Sequence, residues 1–195
     1  MTADRIDWSF EAPRVRGRLV GEDDADLYLG LYADASVMRH IAAPMSADAA
    51  MAVFANALKH NANPAARARY WHVSHRRTGQ TLGLAALVRD AAVPTRGELG
   101  LMLLPQAQRT GVGVQSLEQV IDGALSQRWR LGIDEVVGRH TADNPGAGRL
   151  MSHLGFDPFR IAPADAGTAG SVAWRMTAVA WHERLASRGS TPHHR

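Results

Sequence analysis

The chain has 195 residues, 46% hydrophobic and 21% charged, with a formal net charge of +3 and no cysteine. That balance fits one soluble domain with a sizeable core, and it excludes disulfides, thiolate metal sites and a cysteine nucleophile. No apolar run reaches the ~20 residues of a membrane span, and the N-terminus lacks the charged-then-apolar order of a signal peptide, so the cytoplasm is the expected compartment and no membrane partner is expected.

Residues 1–12 read as a flexible leader, although Trp8 and Phe10 could dock; residues 13–186 read as a single domain and 187–195 as a disordered tail. Arg14 to Leu19 forms a short strand. Gly21 to Asp26 supplies caps and first-turn acids for a helix carrying Leu27, Leu31 and Tyr32. Val37 to Ile41 reads as a loop, and Ser46 caps a second helix with Met51, Phe54 and Leu58 on one stripe, ended by Asn61 to Pro64. Arg69 to His75 and Thr81 to Val88 form a hairpin, and Arg89 to Gly97 connects it to a central strand, Glu98 to Leu104. A helix from Gly111 to about Arg128 carries Val114, Leu117, Val120, Ile121 and Leu125 on one face. A strand from Ile133 to His140, a short helix from Asn144 to Leu154, strands Phe156 to Ile161 and Val172 to Met176, and a helix from Ala178 to Leu185 complete the chain. One βαβ crossover among antiparallel strands predicts a mixed sheet of α+β type.

Positive charge is almost all arginine, scattered in small groups, with Lys59 the sole lysine. Without a continuous basic stripe or a recognisable module, no nucleic-acid partner is expected. No histidine–carboxylate set has metal-ligand spacing, so no metal is expected either.

The segment Gln108-Arg109-Thr110-Gly111-Val112-Gly113 lies between the central strand and the long helix. Free N–H groups converge at such a helix start and the helix dipole adds positive charge, which suits a phosphate group. A mononucleotide P-loop would need Lys-Ser/Thr where Val114-Gln115 stand, and a dinucleotide fingerprint would need a third glycine where Ser116 stands.

The Q-x-x-G-x-G spacing after a strand ending in Leu-Pro resembles the GNAT superfamily of acetyl-coenzyme A-dependent N-acetyltransferases. The likeness spans roughly Arg14 to Trp181 and is nearest the branch that acetylates ribosomal-protein N-termini, with its many small-molecule relatives. Val37-Met38-Arg39 resembles that branch's "D-P-x-V-M-R" segment, Gln80-Thr81-Leu82-Gly83 its hairpin, and Glu98-Leu99-Gly100 its "E-x-G" strand opening. Asn144, Arg149-Leu150-Met151 and Leu154-Gly155-Phe156 resemble its "N-x-x-S-x-R-x-x-x-x-L-G-F" signature.

The resemblance implies a GNAT fold, a twisted and mostly antiparallel mixed sheet flanked by helices, with a V-shaped cleft for acetyl-CoA. It implies that Gln108 to Gly113 is the pyrophosphate loop, with the amides of Arg109, Thr110, Gly111, Val112, Gly113 and Val114 around the pyrophosphate. Pantetheine would lie along Leu101, Met102 and Leu103, with an N–H near Leu101 polarising the thioester carbonyl. Asn144 would bond pantetheine or the nearby backbone, and Arg149 belongs to the same signature.

Glu98 is the candidate general base toward a primary amine, a protein N-terminus or a small molecule; its other reading is a strand-end carboxylate paired with Arg96. The signature serine that often protonates the leaving thiolate falls at Ala147, which keeps open a catalytically weak acyl-CoA sensor. A nucleotide-binding regulator is the third reading. Tyr70 and His72 read as a half-buried strand aromatic and an edge histidine, His140 as a capping or surface histidine, and His153 as solvent-facing. Met38, Met45 and Met51 read as core filler, and Arg39 and His40 as a solvated loop or contacts to an acidic acceptor. Homodimers are common in this superfamily.

Overall fold

The computed structural model describes residues 6–159 and 171–189. Among these, eight strands form one sheet in the order β1-β2-β3-β4-β5-β6-β8-β7. The strands are β1 (Phe10–Glu11), β2 (Val15–Leu19), β3 (Ala68–His75), β4 (Thr81–Arg89), β5 (Arg96–Leu103), β6 (Glu135–Thr141), β7 (Asp157–Phe159) and β8 (Ser171–Thr177). All neighbours are antiparallel except β5 and β6, which α4 (Val112–Leu125) connects as a parallel crossover. The remaining helices are α1 (Ala25–Tyr32), α2 (Ala35–Met38), α3 (Ala47–Ala62), α5 (Pro145–Leu154) and α6 (Ala178–Gly189).

Side-chain alternation divides the sheet into two faces. On one, Trp71, Val73, Ala85, Leu87, Leu99 and Val136 pack with Leu117, Val120, Ile121 and Leu125 of α4, while Met151 and Leu154 of α5 extend the same core. On the other, Tyr70, Leu84 and Met102 meet Leu27, Tyr28 and Leu31 of α1 and Phe54 of α3.

Several sequence expectations change. The part of the leader from Ile6 onward is docked: Phe10 is 2% exposed, and β1 pairs with β2. The backbone carbonyls of Asp7 and Trp8 accept hydrogen bonds from the indoles of Trp129 (3.1 Å) and Trp71 (2.6 Å). Trp71 stacks on Trp129 with centroids 4.9 Å apart, and Trp8 sits 5.6 Å from Trp129. Local composition hides this because the partners lie far along the chain.

The expected loop at Val37 begins as helix α2, which Asp34 caps by accepting from the N–H groups of Ser36 and Val37. Ser46 caps α3 as expected, yet the buried stripe is Ala50, Phe54 and Ala57, with Met51 exposed. Of the expected strand Phe156 to Ile161, Asp157–Phe159 is observed, and residues 160–161 lie outside the described set. Residues 187–189 of the expected tail continue α6, and 190–195 again lie outside the described residues.

An ionic cluster ties β2, β3 and the start of α1. Asp24, 3% exposed, takes Arg18 in a two-point contact (2.7 and 2.8 Å), the Gly21 N–H (2.9 Å) and His72 Nδ1 (2.8 Å). His72 Nδ1 lies 2.8 Å from Asp24 Oδ1 and 2.7 Å from the Arg18 guanidinium, and its Nε2 lies 3.1 Å from the Thr81 hydroxyl. Burial pushes the imidazole below its ordinary range, and the opposed pulls of Asp24 and Arg18 leave it there. For Asp24, burial pushes up, but Arg18, the Gly21 N–H and His72 hold the carboxyl below its usual value. This edge histidine is a buried structural member.

Both depressed groups make the unfolded chain the stronger proton binder at low pH. Thermal midpoints are expected to hold above pH ~6.5, to fall below it as unfolded His72 protonates, and to fall again below ~3.9 with Asp24. His72→Gln flattens the first decline; an unaltered wild-type profile in that variant would refute the assignment. Phe10→Ala is expected to cost about 3 kcal/mol in denaturant unfolding, against near zero for an undocked leader.

Candidate functional site

The site begins where β5 and β6 part. Their pairing runs from Arg96↔Glu135 to Leu99↔Gly138 and stops there, although both strands continue. Along β5 the backbone groups alternate in direction. Arg96 O accepts from Asp90 N–H and Leu104 N–H donates to Leu82 O, each at 2.9 Å, so even-numbered residues face β4. Leu101 and Leu103 therefore present their N–H and C=O groups to the opening. Gly100, Leu101, Met102 and Leu103 are half-exposed although they lie in a central strand. The Leu103 carbonyl accepts from Gln108 Nε2 (3.1 Å), while Leu101 keeps a donor and an acceptor aimed into the gap.

At the end of β5, Pro105–Ala107 forms a single 3-10 turn, and Thr110 donates its hydroxyl to the Ala107 carbonyl (2.6 Å). Arg109 has φ 61 and Gly111 φ 84. These left-handed residues reverse the chain so that α4 starts at Val112 with no side chain capping it. A Cβ on Gly113 would come within 3.2 Å of Leu101 and 3.3 Å of Leu103, so glycine lets the helix start lie against the cleft strand.

Arg14, missed as a site residue, donates through its guanidinium to the Thr110 carbonyl, and its backbone N–H donates to Gln115 Oε1 (2.9 Å). It buttresses the loop from behind and adds positive charge. Its place in an arginine-rich strand gave no signal that would separate it from Arg16.

On the other arm, Asn144 caps α5 by accepting from the Ala147 N–H through its Oδ1 (3.1 Å). Arg149 is exposed on α5, and Ala147 is half-exposed beside the cap. His140 is neither a cap nor a surface residue. Its Nε2 accepts from the Trp174 indole (2.9 Å), its Nδ1–H donates to the Thr141 carbonyl (2.8 Å), and its ring lies against Gly148. Both ring nitrogens are thus taken up by neighbouring groups. His140 therefore does not replace the hydroxyl that Ala147 lacks.

On the α1–α3 face, Glu98 stands one level before the last β5–β6 pair, bonded to Arg139 (2.6 Å), with its side chain 41% exposed. The expected alternative partner, Arg96, instead bonds Glu135 (2.7 Å) and lies 3.9 Å from Asp90. His40, following α2, lies 3.5 Å from Asp143 in the β6–α5 loop, and Arg39 is exposed. Met38 is fully buried, Met45 half-buried and Met51 exposed, so the three do not form one cluster. His153 is exposed, as expected. Among the described residues, no group of histidine and carboxylate side chains could hold a metal ion, and no helix is long and apolar enough to cross a membrane.

No curated protein matches the sequence. The chain is similar in fold to spermidine N-acetyltransferase from Vibrio cholerae in complex with CoA and spermine (15% identity, 88% of this chain and 99% of that one, TM-score 0.71). It is also similar to an acetyltransferase from Agrobacterium tumefaciens str. C58 (16% identity, 86% and 93%, TM-score 0.73). A third is the nucleotide-linked sugar GNAT FdhC in its apo form (14% identity, 94% and 98%, TM-score 0.74). These relatives do not single out the ribosomal-protein branch. The sequence matches the acetyltransferase (GNAT) domain over residues 14–157, and with the parted strands and glycine-broken helix start this places the chain in the GNAT acetyltransferase family.

Proposed function

We propose that the protein transfers an acetyl group from acetyl-CoA to a primary amine by direct attack in a ternary complex. The observation that carries this is the opening beyond Leu99 and Gly138, edged by the free N–H and C=O of Leu101 and closed by a glycine-broken helix start. Such an edge takes an extended chain bearing amides, which describes pantetheine. The uncapped first turn of α4 takes the pyrophosphate through the amides of residues 109 to 114. Gly111 and Gly113 give room for that approach, and Arg14 adds charge. Asn144 holds the first turn of α5 in place on the facing arm.

Acetyl-CoA is the donor substrate and supplies an activated thioester. The Leu101 N–H polarises its carbonyl and stabilises the developing oxyanion. The amine nitrogen forms the C–N bond, and the C–S bond breaks with its electron pair going to sulfur. Glu98 receives the proton the amine gives up, directly or through water, and Arg139 fixes the carboxylate at the apex of the V. A thiol of pKa ~8.5 leaves tolerably as thiolate near neutral pH, so solvent can return a proton to sulfur where Ala147 offers none. Acceptors open to the site are protein N-termini and small amines.

Two measurements test this reading. Glu98→Gln is expected to lower kcat by about 10²-fold in a thiol-release assay while calorimetry finds CoA affinity unchanged; a full rate in that variant removes Glu98 as the base. Gly111→Ala forces a side chain into a left-handed conformation costing ~1–2 kcal/mol. It should weaken CoA binding and lower the denaturation midpoint, and wild-type values for both would overturn the assigned loop role.

A further inference from the structure

Gly100 differs from the other glycines that meet the sheet. A Cβ on Gly97, Gly113 or Gly138 would press on side chains at 2.7–3.2 Å, so those glycines serve packing. A Cβ on Gly100 would find one atom within 4 Å, the Ala86 methyl at 3.3 Å, and otherwise open space. Gly100 and Ala86 are paired across β5 and β4, and both are half-exposed on the face that α1 and α3 cover elsewhere. Two small residues at the centre of a sheet thus floor a hollow.

Its place is set by register. Tyr70 pairs with Ala86 and Ala86 with Gly100, so a tyrosine stands at one side of the floor and the opening between β5 and β6 at the other. Leu84 and Met102 bound one end, and Val88 and Glu98 the other. Tyr32 stacks on Tyr28 with centroids 5.6 Å apart and packs with Tyr70 and Met102 in the cluster under α1. The floor lies one residue past the last β5–β6 pair and beside Leu101.

Charge narrows the ligand further. Glu98 at the edge is matched by Arg139 at 2.6 Å. Asp24, on the same side, is committed to Arg18, His72 and the Gly21 N–H. A second ammonium in the hollow would lose water and find these two carboxylates already paired, which is costly. Aromatic and apolar walls reward a flat hydrocarbon body instead.

We propose that this hollow is the acceptor chamber and that it takes a primary amine borne on an apolar, aromatic-sized body without a second positive charge. The assignment rests on the acetyl-transfer reading above and adds the acceptor class to it. Gly100 then sets the size limit: a larger side chain there fills the chamber while leaving the backbone edge that receives the donor.

The test compares 2-phenylethylamine with spermidine on wild-type protein and Gly100→Leu, reading thiol release. Calorimetry measures CoA binding, and binding of 2-phenylethylamine to the CoA-loaded protein. Wild type is expected to favour 2-phenylethylamine over spermidine, and Gly100→Leu to lose about tenfold or more in kcat/KM, through KM, with CoA affinity unchanged. Gly100→Ala, whose methyl nearly fits, should show a smaller loss in the same direction and serves if the leucine variant does not fold. A preference for spermidine, or an undiminished KM in both variants, overturns the chamber assignment. Where neither amine turns over, 2-phenylethylamine binding to wild type that Gly100→Leu abolishes supports it, and equal or absent binding overturns it. Absence of CoA binding by the wild type defeats the acetyl-transfer reading instead.

Discussion

The structure depends on a hydrogen-bonding conflict in the middle of its sheet. Strands β5 and β6 leave one another after Leu99 and Gly138, while each stays paired on its outer side, to β4 and to β8. A central strand edge with unspent N–H and C=O groups is unfavourable unless something else bonds to it. The fold fixes both arms of the V by independent means, Trp174 and His140 on one and the β3–β4 ladder on the other. The arms cannot close to satisfy themselves, and an extended polar ligand is the natural remedy.

Around this opening, charge is arranged by pairing. Glu98 with Arg139, Arg96 with Glu135, and Asp24 with Arg18 each cancel locally. At the start of α4, Arg14 bonds a carbonyl and pairs with no carboxylate among the described residues, so it adds to the field of the helix start. The α4 end of the cleft is thereby positive and the Glu98 end close to neutral. Such a division lets one groove hold a phosphate-bearing molecule and an amine without forcing like charges together.

Much of this was legible in the residue order. The glycine-broken loop, the Asn144 cap, the central strand and the crossover all leave local marks, because turns, caps and hydrophobic periods are properties of neighbouring residues. Long-range partners leave none. Nothing near Glu98 indicates Arg139, nothing near Arg14 separates it from Arg16, and His72 reads as an edge residue until Asp24 is folded onto it. The chamber floor escaped for a related reason: Gly100 is informative only once the space above it is known to be open. The short helix α2 was missed because its buried Val37 and Met38 span too few residues to set a period.

The docking of the N-terminus also constrains the order of events during synthesis. The Asp7 carbonyl meets the Trp129 indole across 122 positions of chain. Residues 6–12 precede α4 in the chain, yet their place against the stacked tryptophans exists only after α4 and Trp129 have followed. Closing so long a loop is slow relative to local pairing. Trp8 and Phe10 therefore reach their packed positions only after the chain as far as Trp129 has been made.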